Sequence, residues 1–127
     1  MGMEFVYTEK APKPVGPYSQ AVKIGNMVFV SGQLGIDPST GKLIKDDIEL
    51  QMRRAFMNVA SILEAAGSNL SKVVKVTVYL KDPSYFKTMN EVYVEFFRDY
   101  KPARTTVIAS PPIDEAVIEV DVIAYLD

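Results

Sequence analysis

The sequence predicts an α+β domain in which one mixed six-stranded sheet carries two helices on one of its faces. Residues 47–66 repeat apolar side chains at helical spacing, and residues 73–81 alternate apolar and polar side chains as a strand does. The element order is β-β-β-α-β-α-β-β, so strands follow one another without a helix at both ends of the chain. A length of 127 residues is that of one domain, and residues 1–127 show no internal repeat.

The first part of the chain predicts three strands. Residues 4–8 form a short strand, followed by residues 11–17, which contain three prolines and a glycine and must be an extended connector. Residues 19–24 and 27–33 form a hairpin around a Gly-Asn pair. The second arm is almost wholly apolar up to its serine, which favours a strand buried on both faces.

The middle of the chain contains the clearest helix. It is preceded by a turn at residues 37–41. Asp46 or Asp47 can cap the start of helix 47–66, and Gly67 can end it. One face of this helix is apolar and predicts burial against the sheet: Ile48, Met52, Phe56, Val59, Leu63 and Ala66.

The last third of the chain predicts a second helix between strands. Asp82 followed by Pro83 is typical of a helix start, and the Lys-Pro pair at 101–102 is a stop. Residues 103–109 then form a strand, residues 110–112 a turn, and residues 116–126 the last strand.

The composition excludes several classes of chemistry. The chain has no Cys and no His, so thiolate nucleophiles, zinc–thiolate sites and serine–histidine triads are excluded. We expect no metal and no cofactor, since neither a phosphate loop nor a dinucleotide fingerprint occurs. A net charge of −2 without a basic block argues against nucleic acid as a partner. The absence of a signal peptide or a long apolar run predicts a soluble cytoplasmic protein.

Arg104 and Glu119 are the strongest candidates for chemistry. Arg104 opens an apolar strand; it could pair with a surface carboxylate, or it could bind a ligand carboxylate through its planar guanidinium. Glu119 and Asp121 lie on one strand face, which is either solvated or lines a site. A partly buried glutamate there could act as the acid–base that the missing histidine would otherwise supply.

Four other residues stand out from their surroundings. Asn90 lies in the apolar stripe of the second helix and needs a partner, either nearby backbone or a ligand. Ser31 either satisfies a turn or lines a pocket, and Gly32 beside it allows backbone to approach a ligand. Tyr18, which follows the proline-rich connector, is either packed or donates its hydroxyl into a pocket.

Five motifs together resemble the RidA/YjgF family of enamine/imine deaminases in order and spacing. The resemblance spans nearly the whole chain, and each motif alone is weak. They are Gly16-Pro17-Tyr18-Ser19-Gln20-Ala21, Val30-Ser31-Gly32-Gln33, Met89-Asn90-Glu91-Val92-Tyr93, Pro102-Ala103-Arg104 and Ile118-Glu119-Val120.

The resemblance implies a chorismate-mutase-like fold and a homotrimer with ligand clefts between subunits. It also implies hydrolysis of 2-aminoacrylate-derived imines, 2-iminopropanoate and 2-iminobutanoate, to 2-keto acids and ammonia without a cofactor. Arg104 matches the arginine that binds the substrate carboxylate, and Glu119 the glutamate that orients or activates water. Tyr18, Ser31, Gly32 and Asn90 match residues that line the pocket.

One position departs from the family pattern. Many members have cysteine two residues after the arginine, where this chain has Thr106. Threonine can serve if the role of this position is a backbone N–H contact, whereas an essential thiol would put activity in doubt.

Two other functions stay open: a non-catalytic sensor or chaperone-like protein that binds small carboxylates in the same cleft, and an endoribonuclease that inhibits translation.

Overall fold

The computed structural model describes residues 2–127 and contains a mixed sheet of six strands with two helices. The predicted α+β class is therefore confirmed. The helices are α1 (Ile48–Ala66) and α2 (Phe86–Phe97). The strands are β1 (Met3–Val6), β2 (Ala21–Ile24), β3 (Met27–Gln33), β4 (Ile36–Asp37), β5 (Lys42–Leu43), β6 (Val73–Leu80), β7 (Ala103–Ile108) and β8 (Ile118–Tyr125).

The main sheet has the strand order β1-β2-β3-β8-β6-β7. The pair β6–β7 is parallel, with α2 as the crossover between the two strands, and the other neighbours are antiparallel. Strands β4 and β5 form a separate two-stranded ribbon around the predicted turn at 37–41. Sequence patterns did not predict this ribbon, because strands of two residues are too short to show alternation.

Helix α1 begins and ends at residues that the sequence predicted as its caps. The Asp47 side chain accepts a hydrogen bond from the Leu50 amide at 3.0 Å, so Asp47 rather than Asp46 is the cap. Gly67 ends the helix in the left-handed region with φ 90°, a conformation that favours glycine.

Helix α2 is shorter than predicted at both ends. Asp82 caps one turn of 3-10 helix at Pro83–Tyr85, and the α-helix begins only at Phe86. The helix ends at Phe97, because Arg98 adopts a left-handed φ of 55° well before the predicted proline stop.

The core lies between the helices and one face of the sheet. Both helices and the sheet contribute to a single buried apolar cluster, in which Phe56 of α1 contacts three aromatic rings of α2. The largest fully buried apolar side chains are Phe56, Met52, Ile62, Leu63, Leu80, Met89 and Ile118. Burial of this surface is the main force that holds the helices on the sheet.

The opposite face of the sheet carries exposed apolar side chains; we call it the open face. Val28 and Val30 of β3 point into the core, whereas Phe29 between them is 40% exposed. The prediction that β3 is buried on both faces is therefore wrong for a single chain, since both helices cover the same side. Other exposed members of the open face are Met3, Phe5, Ile24, Val107 and Tyr125.

Within residues 2–127, neither helix is long and apolar enough to span a lipid bilayer.

Candidate active site

The candidate residues fall into two groups on opposite faces of the sheet. Arg104 is aligned with Val76, whose side chain is buried beneath the helices. Glu119 is aligned with Tyr79 and lies between Ile118 and Val120, which both point into the core. Because side chains alternate along a strand, Glu119 projects from the open face while Arg104 projects towards α2. One chain therefore does not present both groups to one ligand.

The Arg104 guanidinium is held by side chains of α2. Its Nη1 donates to Asn90 Oδ1 at 2.8 Å. Its central carbon lies 4.8 Å from the centre of the Tyr93 ring and 5.8 Å from that of Phe86. Such aromatic faces attract a cation and restrict its position. Asn90 thus has a side-chain partner, and that partner is the predicted functional arginine rather than backbone.

Arg104 forms no salt bridge with any carboxylate of residues 2–127. A guanidinium has five N–H donors in a planar fork, and the bond to Asn90 uses only one side of it. A half-buried cation with spare donors and a restricted position is suited to a planar anion such as a carboxylate.

Thr106 lies two residues after Arg104 on β7 and is aligned with buried Val78. The strand alternation therefore places Thr106 on the same face as Arg104. Because β7 is the last strand of the sheet, this face borders an open edge where another chain or a ligand can approach.

Glu119 lines a small cleft together with Tyr18 and Gly32. The cleft has a volume of about 60 Å³, and its other walls include the proline-rich connector, Pro112 and residues of the segment 33–36. One water requires roughly 10–15 Å³ of such space. The cleft beside Glu119 can therefore hold a few water molecules, and a carboxylate in it can orient one of them.

Gly32 allows Glu119 to lie directly against β3. A methyl group on Gly32 would come 2.8 Å from the carboxyl carbon of Glu119 and 3.1 Å from its Cγ. Any larger residue at position 32 would push the carboxyl group away. The register of β3 against β8 also shifts between Val30 and Gln33, and this irregularity brings Gly32 to the Glu119 side chain.

Tyr18 and Ser31 are neighbours, but their hydroxyl groups already have partners. The Ser31 hydroxyl donates to the Ser19 carbonyl at 2.6 Å, and the Tyr18 hydroxyl accepts from the Val15 amide at 3.3 Å. Ser31 therefore anchors the segment that carries Tyr18; because this bond joins residues 12 apart in the chain, it is not the turn contact expected as the structural alternative for Ser31. Tyr18 itself is 46% exposed at the cleft.

Gln20 is a buried side chain whose importance the sequence patterns did not show. Its Nε2 donates to the carbonyls of Thr8 and Pro12, each at 3.0 Å, and its Oε1 accepts from the Thr8 amide at 2.7 Å. These bonds fasten the proline-rich connector to the sheet and so fix one wall of the Glu119 cleft. The sequence signal that could have pointed to Gln20 was its position in the first motif, directly after Tyr18-Ser19.

Glu119 shares its part of the open face with three other ionisable side chains, those of Asp121, Tyr79 and Lys75. Burial raises the pKa of Glu119, and the negative charge of Asp121 raises it further. Burial also raises the pKa of Asp121, although the nearby Tyr79 hydroxyl and the charge of Lys75 oppose this shift. The pKa of Tyr79 is raised by burial and by the nearby Asp121 carboxylate. Glu119 is thus better placed to exchange a proton near neutral pH than an exposed glutamate.

Residues 2–127 contain no cluster of three or more acidic side chains arranged to hold a metal ion.

Comparison with known proteins gives consistent matches over the whole chain. A family model described as endoribonuclease L-PSP matches residues 8–126. A RutC family protein of Pyrococcus abyssi is 54% identical over 98% of both chains. A protein of Dermatophagoides farinae named 2-iminobutanoate/2-iminopropanoate deaminase is 37% identical over 96% of this chain and 95% of its own. The crystal structure of RidA from the Antarctic bacterium Psychrobacter is 42% identical, with a TM-score of 0.92 over 97% of this chain and 99% of that one.

Proposed function

Because the chain belongs to the endoribonuclease L-PSP family, the family of RidA and YjgF, we propose that it is an imine deaminase. Its substrates would be 2-iminopropanoate and 2-iminobutanoate, which it would hydrolyse to the 2-keto acids and ammonia. The observation that carries this proposal is Arg104, a half-buried guanidinium held by Asn90 and two aromatic rings and not paired with any carboxylate of residues 2–127. The name of the Dermatophagoides relative supports the choice of substrate.

In the proposed mechanism Arg104 binds the carboxylate of the imine through two parallel N–H···O bonds. Asn90 and the rings of Tyr93 and Phe86 keep the guanidinium in one orientation. The carboxylate is then fixed, and so is the neighbouring imine carbon. Holding this carbon next to a water converts a slow bimolecular encounter into a reaction of prepositioned groups, which supplies most of the acceleration.

Glu119 takes a proton from the water as the water oxygen bonds to the imine carbon. It then returns that proton to the nitrogen, which gives a carbinolamine with a hydroxyl and an amino group on the same carbon. Glu119 next takes the hydroxyl proton and passes it to the amino nitrogen as the carbon–nitrogen bond breaks and the carbonyl forms, so the products are ammonia and the 2-keto acid. The glutamate ends the cycle as it began, and no oxidant or reductant is needed. A raised pKa suits this double role, because the group must both accept and release a proton.

The placement of the two groups leads us to propose that one site is formed by two subunits of a homotrimer. Arg104, Asn90 and Thr106 of one subunit would face Glu119, Gly32 and Tyr18 of its neighbour. Two observations support this arrangement. Arg104 and Glu119 lie on opposite faces of one sheet, and the open face carries apolar side chains that are exposed to solvent in a single chain. An exposed apolar surface of this kind is typical of an interface.

Ammonia release from imines that an amino-acid oxidase generates in the assay tests the proposed function. Wild-type protein should release ammonia well above the rate of spontaneous hydrolysis. Arg104→Ala should reduce the rate to that background while the protein stays folded, and Arg104→Lys should recover little, because lysine lacks the planar fork. Full activity of Arg104→Ala would refute the proposal, and binding of 2-ketobutanoate by the wild type without any ammonia release would point to the carboxylate sensor instead.

A further inference from the structure

Asp121 lies next to the proposed catalytic glutamate without a role in the mechanism above. It follows Glu119 by two residues on β8, so both carboxyl groups project from the open face about 7 Å apart along the strand. Both side chains are only partly exposed. Two carboxylates at this distance in partly dry surroundings repel each other measurably.

Tyr79 lies across the strand pair from the two carboxylates. It lies directly opposite Glu119 in the register of β6 and β8, whereas Thr77 lies opposite Asp121. Asp121 is therefore the diagonal neighbour of Tyr79, and diagonal positions are within reach of an aromatic side chain. The nearby Tyr79 hydroxyl lowers the pKa of Asp121 and so favours its ionised form.

The other charged groups near this pair come from the same subunit and, in the proposed assembly, from its neighbour. Lys75 on β6 attracts Asp121. Strand β3, which packs on the other side of β8, has no ionisable side chain between Met27 and Gln33. Lys13 of the proline-rich connector and Tyr18, which follows it, line the cleft beside Glu119. Arg104 of the neighbouring subunit would face Glu119 across the proposed site, equally in the wild type and in every variant below, so Asp121 is the negative charge among these groups that can be removed without touching the carboxylate site.

We propose that Asp121 and Tyr79, which share one face of the β6–β8 pair with Glu119, are positioning residues for it: the Asp121 charge sets the pH range over which Glu119 can accept a proton, and the nearby Tyr79 hydroxyl stabilises that charge. This inference rests on the proposed deaminase function. The raised pKa of Glu119, to which burial contributes most and Asp121 next, agrees with it. In physical terms, the neighbouring charge makes Glu119 a stronger base.

The pH dependence of kcat/KM for ammonia release tests the inference. Activity falls on the acid side as Glu119 takes up a proton. In Asp121→Asn the repelling charge is absent, so the midpoint of this acid limb should move down by about half to one pH unit. Asp121→Glu keeps the charge and should keep the midpoint. Asp99→Asn serves as the matched control, because Asp99 is exposed beyond the end of α2, and it should leave the profile unchanged.

Tyr79→Phe provides a second variant that retains all carboxylates. Without the hydroxyl, Asp121 takes up a proton more readily, so the midpoint should move in the same direction as in Asp121→Asn but by less. Thermal unfolding and native mass confirm that each variant is folded and assembled as the wild type is.

The outcomes separate this inference from the proposed function. Unchanged midpoints in both Asp121→Asn and Tyr79→Phe, with wild-type protein active, would overturn the positioning role and leave the deaminase intact. Wild-type protein that releases no ammonia above background would overturn the deaminase and this inference with it. A fall in kcat at every pH without a shift of the midpoint would show a merely structural role and would also overturn the inference.

Discussion

Gly32 lies against the carboxyl group of Glu119, so that a methyl group at position 32 would come within 2.8 Å of the carboxyl carbon. The two residues belong to neighbouring strands, β3 and β8, and meet where the register between these strands shifts. Because Gly32 on β3 has no side chain, the carboxylate of Glu119 on β8 can lie directly against it.

We predict that Gly32→Ala folds normally but is a poor enzyme. The atoms that a new methyl group meets belong to the end of the flexible Glu119 side chain, which can turn aside at little cost in stability. A displaced carboxylate no longer aligns the water, and kcat/KM should fall about 10–100-fold. Thermal unfolding and ammonia release measure the two effects. Gly2→Ala is the control, since nothing lies within 4 Å of a methyl group there; activity equal to wild type in Gly32→Ala would contradict the prediction.

Asn90 variants should weaken carboxylate binding in a defined order. Asn90→Ala removes the acceptor that orients Arg104 Nη1, and KM should rise about 10-fold. Asn90→Asp places a carboxylate at the same position, which pairs with Arg104 and competes with the ligand, so KM should rise further. Calorimetric binding of 2-ketobutanoate gives the same order without relying on turnover. Tighter binding in Asn90→Asp than in Asn90→Ala would show that Asn90 does not hold the guanidinium.

Tyr93→Phe should stabilise the fold. The Tyr93 hydroxyl is buried and has no hydrogen-bond partner among residues 2–127, so its removal relieves a desolvation cost of about 1 kcal/mol. The ring that contacts Arg104 stays in place. Tyr100→Phe is the opposite case, because its hydroxyl donates to the Val73 carbonyl, and it should lose about 1 kcal/mol. Urea unfolding compares the two; a loss of stability in Tyr93→Phe would mean that the hydroxyl finds a partner in the assembled protein.

Glu119→Gln should be more stable than wild type at neutral pH. The pKa of Glu119 is raised above its ordinary value of 4.5, so ionisation of this group opposes folding. The stability that the protonated group contributes is fully present below pH 4.5 and is lost as the pH rises through the raised value. The difference between variant and wild type should therefore be near zero below pH 4.5, grow as the pH rises, and level off above the raised pKa of Glu119.

Glu95→Gln provides the opposite pH dependence. The Arg53 guanidinium lowers the pKa of Glu95, so the wild-type ion pair stabilises the protein above the ordinary value of 4.5 and this stability is lost as the pH falls. The variant should be the less stable protein at neutral pH and match the wild type in acid. Thermal unfolding between pH 3 and 8 measures the stability of each variant relative to wild type. If this difference changed with pH in the same direction for Glu119→Gln and Glu95→Gln, the opposite pKa shifts assigned to the two residues would be contradicted.

The sequence predicted the elements of the main sheet and both helices because each has a strong local signal. Helix α1 combines an apolar stripe with a capping aspartate and a terminal glycine, and strand β6 alternates without interruption. The ends of α2 were predicted less well. Asp82-Pro83 starts a 3-10 turn as readily as an α-helix, and nothing in the sequence marks Arg98 as a left-handed residue.

The candidate residues were singled out from the sequence one by one, but the faces of the sheet on which they lie were not predicted. The order of the motifs along the chain identifies Arg104 and Glu119 as candidates for the same site. The faces on which they lie, however, depend on the register between β6, β7 and β8. The contact between Gly32 and Glu119 depends on a bulge, and the bonds of Gln20 to the connector span 8–12 residues. These relationships arise from tertiary packing, which local patterns do not encode.

The opposite orientations of Arg104 and Glu119 have a consequence for genetics. If two subunits build each site, as proposed, alleles that damage different faces can complement each other within one oligomer. Randomly mixed trimers of Arg104→Ala and Glu119→Gln subunits would regain about one intact site in four, because each interface combines residues of two chains. Cells that carry both inactive alleles would then clear reactive imines, whereas two alleles that affect the same face would not.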